Sequence, residues 1–138
     1  MVKKIKQYIK HKQITYFYNE MDTQPNNFGN PGKNATNIQK IYYSDHMIKL
    51  CKEEQDAIDL VFIDGRFRVA CCLKCHDIIK DDCLIMFDDF LNRSHYHIVL
   101  DYFDIIENSK DKRMVILKKK NTVSVPEELI TKYELDQR

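Results

Sequence analysis

Three acidic residues stand where strand-like runs stop. Asp64 follows the run Asp59–Ile63 (DLVFI), and Asp88 and Asp89 follow Cys83–Phe87 (CLIMF). If the two runs are neighbouring strands, three carboxylates meet at one edge of a sheet. Unpaired carboxylates at that spacing repel, so such a site calls for a cation. A hard divalent ion such as magnesium, with oxygen ligands, suits the set. It could hold two substrate oxygens and lower the pKa of a bound hydroxyl. Asp64, Asp88 and Asp89 are therefore the candidate metal ligands. An Asp after a strand serves equally as a helix N-cap or turn residue, and spacing alone does not choose.

Other residues compete for chemical roles. His95 and His97 follow the Asp pair, with Arg93 and Tyr96, where either imidazole could act as general base. Polar residues at a helix start are also ordinary. Arg66 and Arg68 sit just past Asp64, placed to pair with it or with an anionic ligand. Cys72-Leu73-Lys74-Cys75-His76 matches C-x-x-C-H, the pattern for covalent haem attachment. A helix lying against a sheet has no room for haem, so these thiols read as small core hydrophobes and no haem is expected. Cys51 and Cys83 add only a weak zinc signal. His11 and His46 read as surface residues. The segment holding Asn26, Gly29, Asn30 and Gly32 lacks the spacing and the Lys-Ser/Thr ending of a phosphate-binding loop.

The elements that must position these residues alternate. A basic helix is expected over about Val2–Lys12, and a strand over Ile14–Tyr18 (ITYFY). A long Asn/Gly/Pro-rich loop follows over 19–40. The next helix runs from Ser44, a plausible N-cap, to about Glu54, with Met47, Leu50 and Cys51 on its apolar face. The strand Asp59–Ile63 leads to a helix over about Phe67–Ile79, then to the strand Cys83–Phe87. A third helix is expected over about His95–Glu107, a last strand over Arg113–Leu117, and a C-terminal helical tail within 121–138, begun by Pro126 at an N1-like position. The order predicts an α/β, Rossmann-like fold: a short, mostly parallel sheet flanked by helices, with an antiparallel last strand allowed. In such sheets ligands bind at the carboxyl ends of the strands, where Asp64, Asp88 and Asp89 stand.

Composition sets the bounds. A chain of 138 residues suits a single domain, and 43% hydrophobic residues are enough for a core. The net charge of +1 gives no general pull toward nucleic acid or membrane. The run Lys118–Lys120 reads as a solvated strand end. No stretch is apolar enough to span a membrane, and no apolar run follows the basic N-terminus. Five cysteines, four of them crowded into core-like positions, suit reduced thiols in a cytoplasmic protein.

The segment Asp59–Ile106 (DLVFIDGRFRVACC…LIMFDDFLNRSHYHIVLDYFDII) resembles the later strands of class I S-adenosylmethionine-dependent methyltransferases. It looks most like the metal-dependent O-methyltransferases of the macrocin and catechol type, where FIDG ends the fourth strand and a DD or DN pair ends the fifth. RMVILKK is similar to the family's last strand. The resemblance implies a divalent ion on Asp64, Asp88 and Asp89. It implies S-adenosylmethionine at the Asp64–Gly65 strand end, and O-methyl transfer to a small-molecule or sugar acceptor. The pattern is incomplete. Gly29, Gly32 and Gly65 are the chain's three glycines, and none forms the G-x-G turn that cradles the cofactor. ITYFY matches the family's third strand, so the first two are expected to be missing. The chain then reads either as an enzyme or as a truncated, non-catalytic remnant or subunit, completed by a partner that supplies the missing half.

Overall fold

The computed structural model describes residues 17–53 and 57–138. The expected helix over 2–12 and the first three residues of ITYFY lie outside that set. Phe17 and Tyr18 are irregular, not strand.

In chain order the elements are α1 (Asn37–Glu53), β1 (Leu60–Ile63), α2 (Arg68–Cys75), β2 (Leu84–Phe87), a 3-10 helix (Ser94–Asp101), β3 (Phe103–Asn108), β4 (Val115–Lys119) and α3 (Glu127–Glu134). The strands form one sheet in the order β1-β2-β4-β3. β1 and β2 pair in parallel, Leu60 opposite Leu84 and Ile63 opposite Phe87. β4 lies antiparallel to both β2 and β3, with a bulge between Ile105 and Glu107. Three strands thus share one direction and the last opposes them. This is the expected α/β, Rossmann-like sheet with its antiparallel closing strand.

The pleat sorts side chains by face. Val61, Ile63, Ile85, Phe87, Val115 and Leu117 are buried on one side, in a cluster with Val69, Cys72 and Leu73 of α2 and with Tyr96 and Val99. Among the described residues the other face is open. Leu60 is 50% and Phe62 58% exposed there. Beside them, Leu84, Met86 and Ile116 are half-buried.

α2 has no solvent face, since all eight of its residues are buried, Arg68 and Lys74 included. A buried lysine is costly unless paired. Lys74 Nζ donates to Ser44 Oγ at 2.8 Å and reaches Asp45 Oδ1 at 2.5 Å and Glu134 Oε1 at 2.6 Å. One ammonium thereby ties α1, α2 and α3 together. Cys71, Cys72, Cys75 and Cys83 are buried thiols. Burial pushes Cys71 up to about 12 and Cys72 well above the ordinary thiol value, so both stay protonated and poorly nucleophilic at neutral pH. His76 of the C-x-x-C-H run is buried too, its ring nitrogens facing Asp77 Oδ1 at 2.6 Å and the Lys120 carbonyl at 3.2 Å.

Five expectations are corrected. α1 starts at Asn37, seven residues before Ser44, because Thr36 and Gln39 form a capping box. Gln39 N–H donates to Thr36 Oγ1 at 3.2 Å, and Thr36 N–H donates to Gln39 Oε1 at 2.8 Å. Ser44 is mid-helix and buried, its hydroxyl donating to the Ile41 carbonyl. The α2 helix ends at Cys75, and turns carry the chain to Ile79. The third helix is a 3-10 segment that stops at Asp101. Residues 103–107, expected as its end, belong to the edge strand β3 (Phe103–Asn108), which pairs with β4. The last strand runs two residues further than expected, to Lys119. Pro126 is the N-cap of α3 rather than its first helical residue.

Candidate functional site

β1 and β2 run side by side, so Asp64, Asp88 and Asp89 emerge from one sheet edge, as the sequence predicts. The cation among them is a side chain. Arg68 Nε donates to the Gly65 carbonyl at 2.9 Å, and its NH1 to the Asp88 carbonyl at 2.7 Å. Its NH2 lies 3.1 Å from Asp64 Oδ1, and its NH1 4.0 Å from Asp89 Oδ2. The Arg68 side chain is only 8% exposed, and its guanidinium lies over the Tyr96 ring, 5.7 Å from the centroid.

Asp89 gathers two more guanidiniums. Arg93 NH2 is 2.6 Å from Oδ2 and Arg113 NH2 2.7 Å from Oδ1, while Arg113 also approaches Asp88 at 3.5 Å. The Arg113 hydrogen bond, helped by the charges of Arg93 and Arg68, holds the Asp89 carboxyl below the usual carboxylate range. Asp89 has φ 54 and Phe67, on the β1 side, has the same value. Left-handed backbone at non-glycine residues costs energy, and here it turns both loops back toward Arg68.

These residues do not fit a divalent ion. A hard cation gathers oxygens at about 2.0–2.6 Å, whereas the Asp64 and Asp89 carboxylates are turned onto guanidinium groups. Among the described residues, no three His, Cys, Asp or Glu side chains are grouped to hold a metal.

Beside Asp64 a cavity of about 370 Å³ opens between the end of β1 and α1. Phe17, Tyr43, Met47, Phe62 and Ile63 supply its apolar wall, and Asn19, His46, Asp64 and Arg66 its polar groups, with Gly65 and Cys71 at its base. Volume and lining are those of a small-molecule site. The fit around Gly65 is close: a Cβ there would stand 2.4 Å from Tyr43 Oη. That hydroxyl accepts the Arg66 N–H at 3.5 Å, and burial raises its pKa. The Arg66 guanidinium donates to the Phe28 carbonyl from NH2 at 2.8 Å and from Nε at 3.2 Å, fastening the long loop to the strand end. Within that loop Gly32 N–H donates to the Met21 carbonyl, and Asn34 N–H to Asp22 Oδ2.

The expected bases are elsewhere. Neither His95 nor His97 lines the cavity. His97 packs on Phe90 with ring centroids 5.3 Å apart, and His95 packs against Tyr96. Among the described residues the Nε2 atoms of both are buried without a hydrogen-bond partner. Burial, and secondarily the charge of Arg138, lowers the pKa of His95. His46, expected as a surface residue, is the imidazole at the cavity. Its Nδ1 is 2.8 Å from the Tyr42 carbonyl, which leaves Nε2 as the acceptor. The lysine run serves locally: Lys119 Nζ donates to the Ile79 carbonyl and Lys120 Nζ to that of Leu100. Among the described residues no helix is long and apolar enough to cross a membrane.

The sequence pointed to the three Asp residues and left Arg68 open between ion pair and ligand contact. It missed Arg113, which lies in the bend before β4, and Tyr43, whose role rests on contact with a residue 22 positions away.

No protein-family model matches the chain, and no curated protein does. Among solved structures it is similar to a methyltransferase-like protein from Silicibacter pomeroyi, with TM-score 0.63 and 19% sequence identity. The likeness covers 88% of this chain and 61% of that one, so the chain spans less than two thirds of its neighbour's length. At that identity the likeness is one of fold: this is a methyltransferase-like, Rossmann-type α/β fold.

Proposed function

We propose that the chain is a methyltransferase-like domain that takes S-adenosylmethionine in the cavity at the carboxyl end of β1 and serves methyl transfer to a hydroxyl of a small molecule or sugar. The observation that carries this reading is the cavity itself, of about 370 Å³ and bordered by Asp64 and Gly65, at the sheet edge where folds of this class bind ligands. The cofactor would supply the electrophilic methyl group. This chain's residues would do the rest: Phe17, Tyr43 and Phe62 offer apolar surface, Asp64 accepts hydrogen bonds, and His46 Nε2 takes the hydroxyl proton. Calorimetric titration of S-adenosylmethionine into the folded chain tests the reading. Saturable binding that weakens in Asp64→Ala supports it, and no binding by a folded chain refutes it.

A second reading rests on the open side of the sheet. Among the described residues β1 has no strand on its outer edge, and Leu60 and Phe62 beside that edge are half exposed or more. The domain would then be a binding subunit completed by another polypeptide. Binding of S-adenosylmethionine only after the rest of a methyltransferase-like fold is added as a second chain would favour it; binding by this chain alone would remove it.

A further inference from the structure

We infer that Arg68 is a resident cation: its guanidinium does, between the two strand-end loops, what a divalent ion would do among Asp64, Asp88 and Asp89, so the wild-type edge is ordered without metal and has no place for one. The inference is independent of what the neighbouring cavity binds.

The geometry carries it. Each nitrogen of the guanidinium is committed, and the commitments fall on both loops. Nε and NH2 hold the β1 loop through the Gly65 carbonyl and Asp64 Oδ1, while NH1 holds the β2 loop through the Asp88 carbonyl. The nearer Asp89 oxygen lies 4.0 Å from the same NH1. Contacts to all three acidic positions thus radiate from one planar group. Arg suits this place better than Lys, because its fork is rigid and its charge permanent. A divalent ion would have to displace it, and the displaced guanidinium would be left beside the ion, buried and without acceptors. Both steps are costly. Tyr96 lies against one face of the guanidinium.

Removing the guanidinium should uncover the site it fills. In Arg68→Met the group that bridges the two loops is gone: Asp89 keeps Arg93 and Arg113, but the Asp64 carboxylate and the Asp88 carbonyl lose the guanidinium they share and are left as oxygens open to a cation. The test needs no cofactor or substrate. Thermal melts of wild type, Arg68→Met and Arg68→Lys are recorded with chelator, millimolar magnesium or millimolar manganese. Manganese binding is read separately by paramagnetic broadening of the amide signals at 64–65 and 88–89. The wild-type midpoint should not move between chelator and metal, and its signals should stay sharp. Arg68→Met should melt lower in chelator and regain about 5 °C at metal concentrations well above its dissociation constant, with broadening at both loops. Arg68→Lys, which keeps the charge and loses the fork, should melt lower than wild type and ignore metal. Broadening at both loops in the wild type would overturn the inference. So would a folded Arg68→Met that binds neither ion, since Arg68 would then be only a hydrogen-bond donor. Should Arg68→Met not fold, the wild-type manganese titration still decides.

Discussion

The contact between Gly65 and Tyr43 can be tested almost atom by atom. Gly65 does not have a positive φ, so alanine meets no backbone objection there. The objection is the Tyr43 hydroxyl, 2.4 Å from the added Cβ, while the next nearest atom, Tyr43 Cζ, is 3.6 Å away, an ordinary contact. Gly65→Ala alone must push the ring aside, an overpacking cost of about 1–3 kcal/mol. Against this stands a gain of roughly 0.4–1 kcal/mol from a less flexible unfolded chain. The expected net loss is about 1–2 kcal/mol. Tyr43→Phe removes the offending oxygen and one long hydrogen bond from Arg66 N–H, costing about 0.5 kcal/mol. In the Tyr43→Phe background, Gly65→Ala should therefore be neutral or slightly stabilising. The expected coupling is about 2 kcal/mol, which urea denaturation of the four proteins measures directly. A coupling below about 0.5 kcal/mol, with alanine equally damaging in both backgrounds, would refute the close packing of Tyr43 on Gly65 and the cavity wall built from it.

Three further outcomes are expected. Lys74→Met leaves Glu134 and Asp45 without their shared ammonium, and because Asp45 is 40% exposed the loss should be about 2–3 kcal/mol, near the low end for a broken buried pair; adding Glu134→Gln should recover part of it in the same denaturation assay, and no recovery would mean that packing, not charge, sets the cost. The Asp89 carboxyl is held below its ordinary value of 3.8, so its contribution is complete above that pH and is lost as pH falls through the lower folded value; acid-range melts of Asp89→Asn should show a shallower decline in that window, and an unchanged slope would count against the arginine cluster. Thr36→Ala removes the capping box and should cost about 1 kcal/mol, with amide exchange rising in the first turn of α1 and not in α2.

The two parallel strands β1 and β2 were legible because LVFI and LIMF are continuous apolar runs, the pattern of parallel-sheet strands, although only one face of each is buried. Their ends place Asp64, Asp88 and Asp89 without further help. β3 was not legible. Of Phe103–Asn108 only Phe103 is buried, so no alternation appears, and the preceding Tyr96, Val99 and Leu100 carry a helical period into it. Its strand state comes from β4, which starts seven residues after β3 ends. The start of α1 was hidden inside an Asn- and Gly-rich stretch, although Thr36 and Gln39 stand at capping-box spacing and could have revealed it. The identity of the cation at the acidic edge was out of reach for a different reason. Arg68 lies four residues after Asp64, a spacing that suits a surface ion pair just as well. Only the left-handed turns at Phe67 and Asp89 bring both loops onto it.

The position of β4 has a consequence for how the chain is made. It is the last strand in the sequence, yet it sits between β2 and β3 in the sheet. Until residues 115–119 have left the ribosome, β3 has no strand partner among the described residues, and β2 is paired only to β1. Val115 and Leu117, fully buried in the finished molecule, are the wedge that joins the two halves. Sheet closure therefore waits for residues 115–119. A nascent chain stalled before residue 115 leaves open the two strand edges that β4 covers, and an unfilled core, a state prone to pairing with its neighbours on the same message.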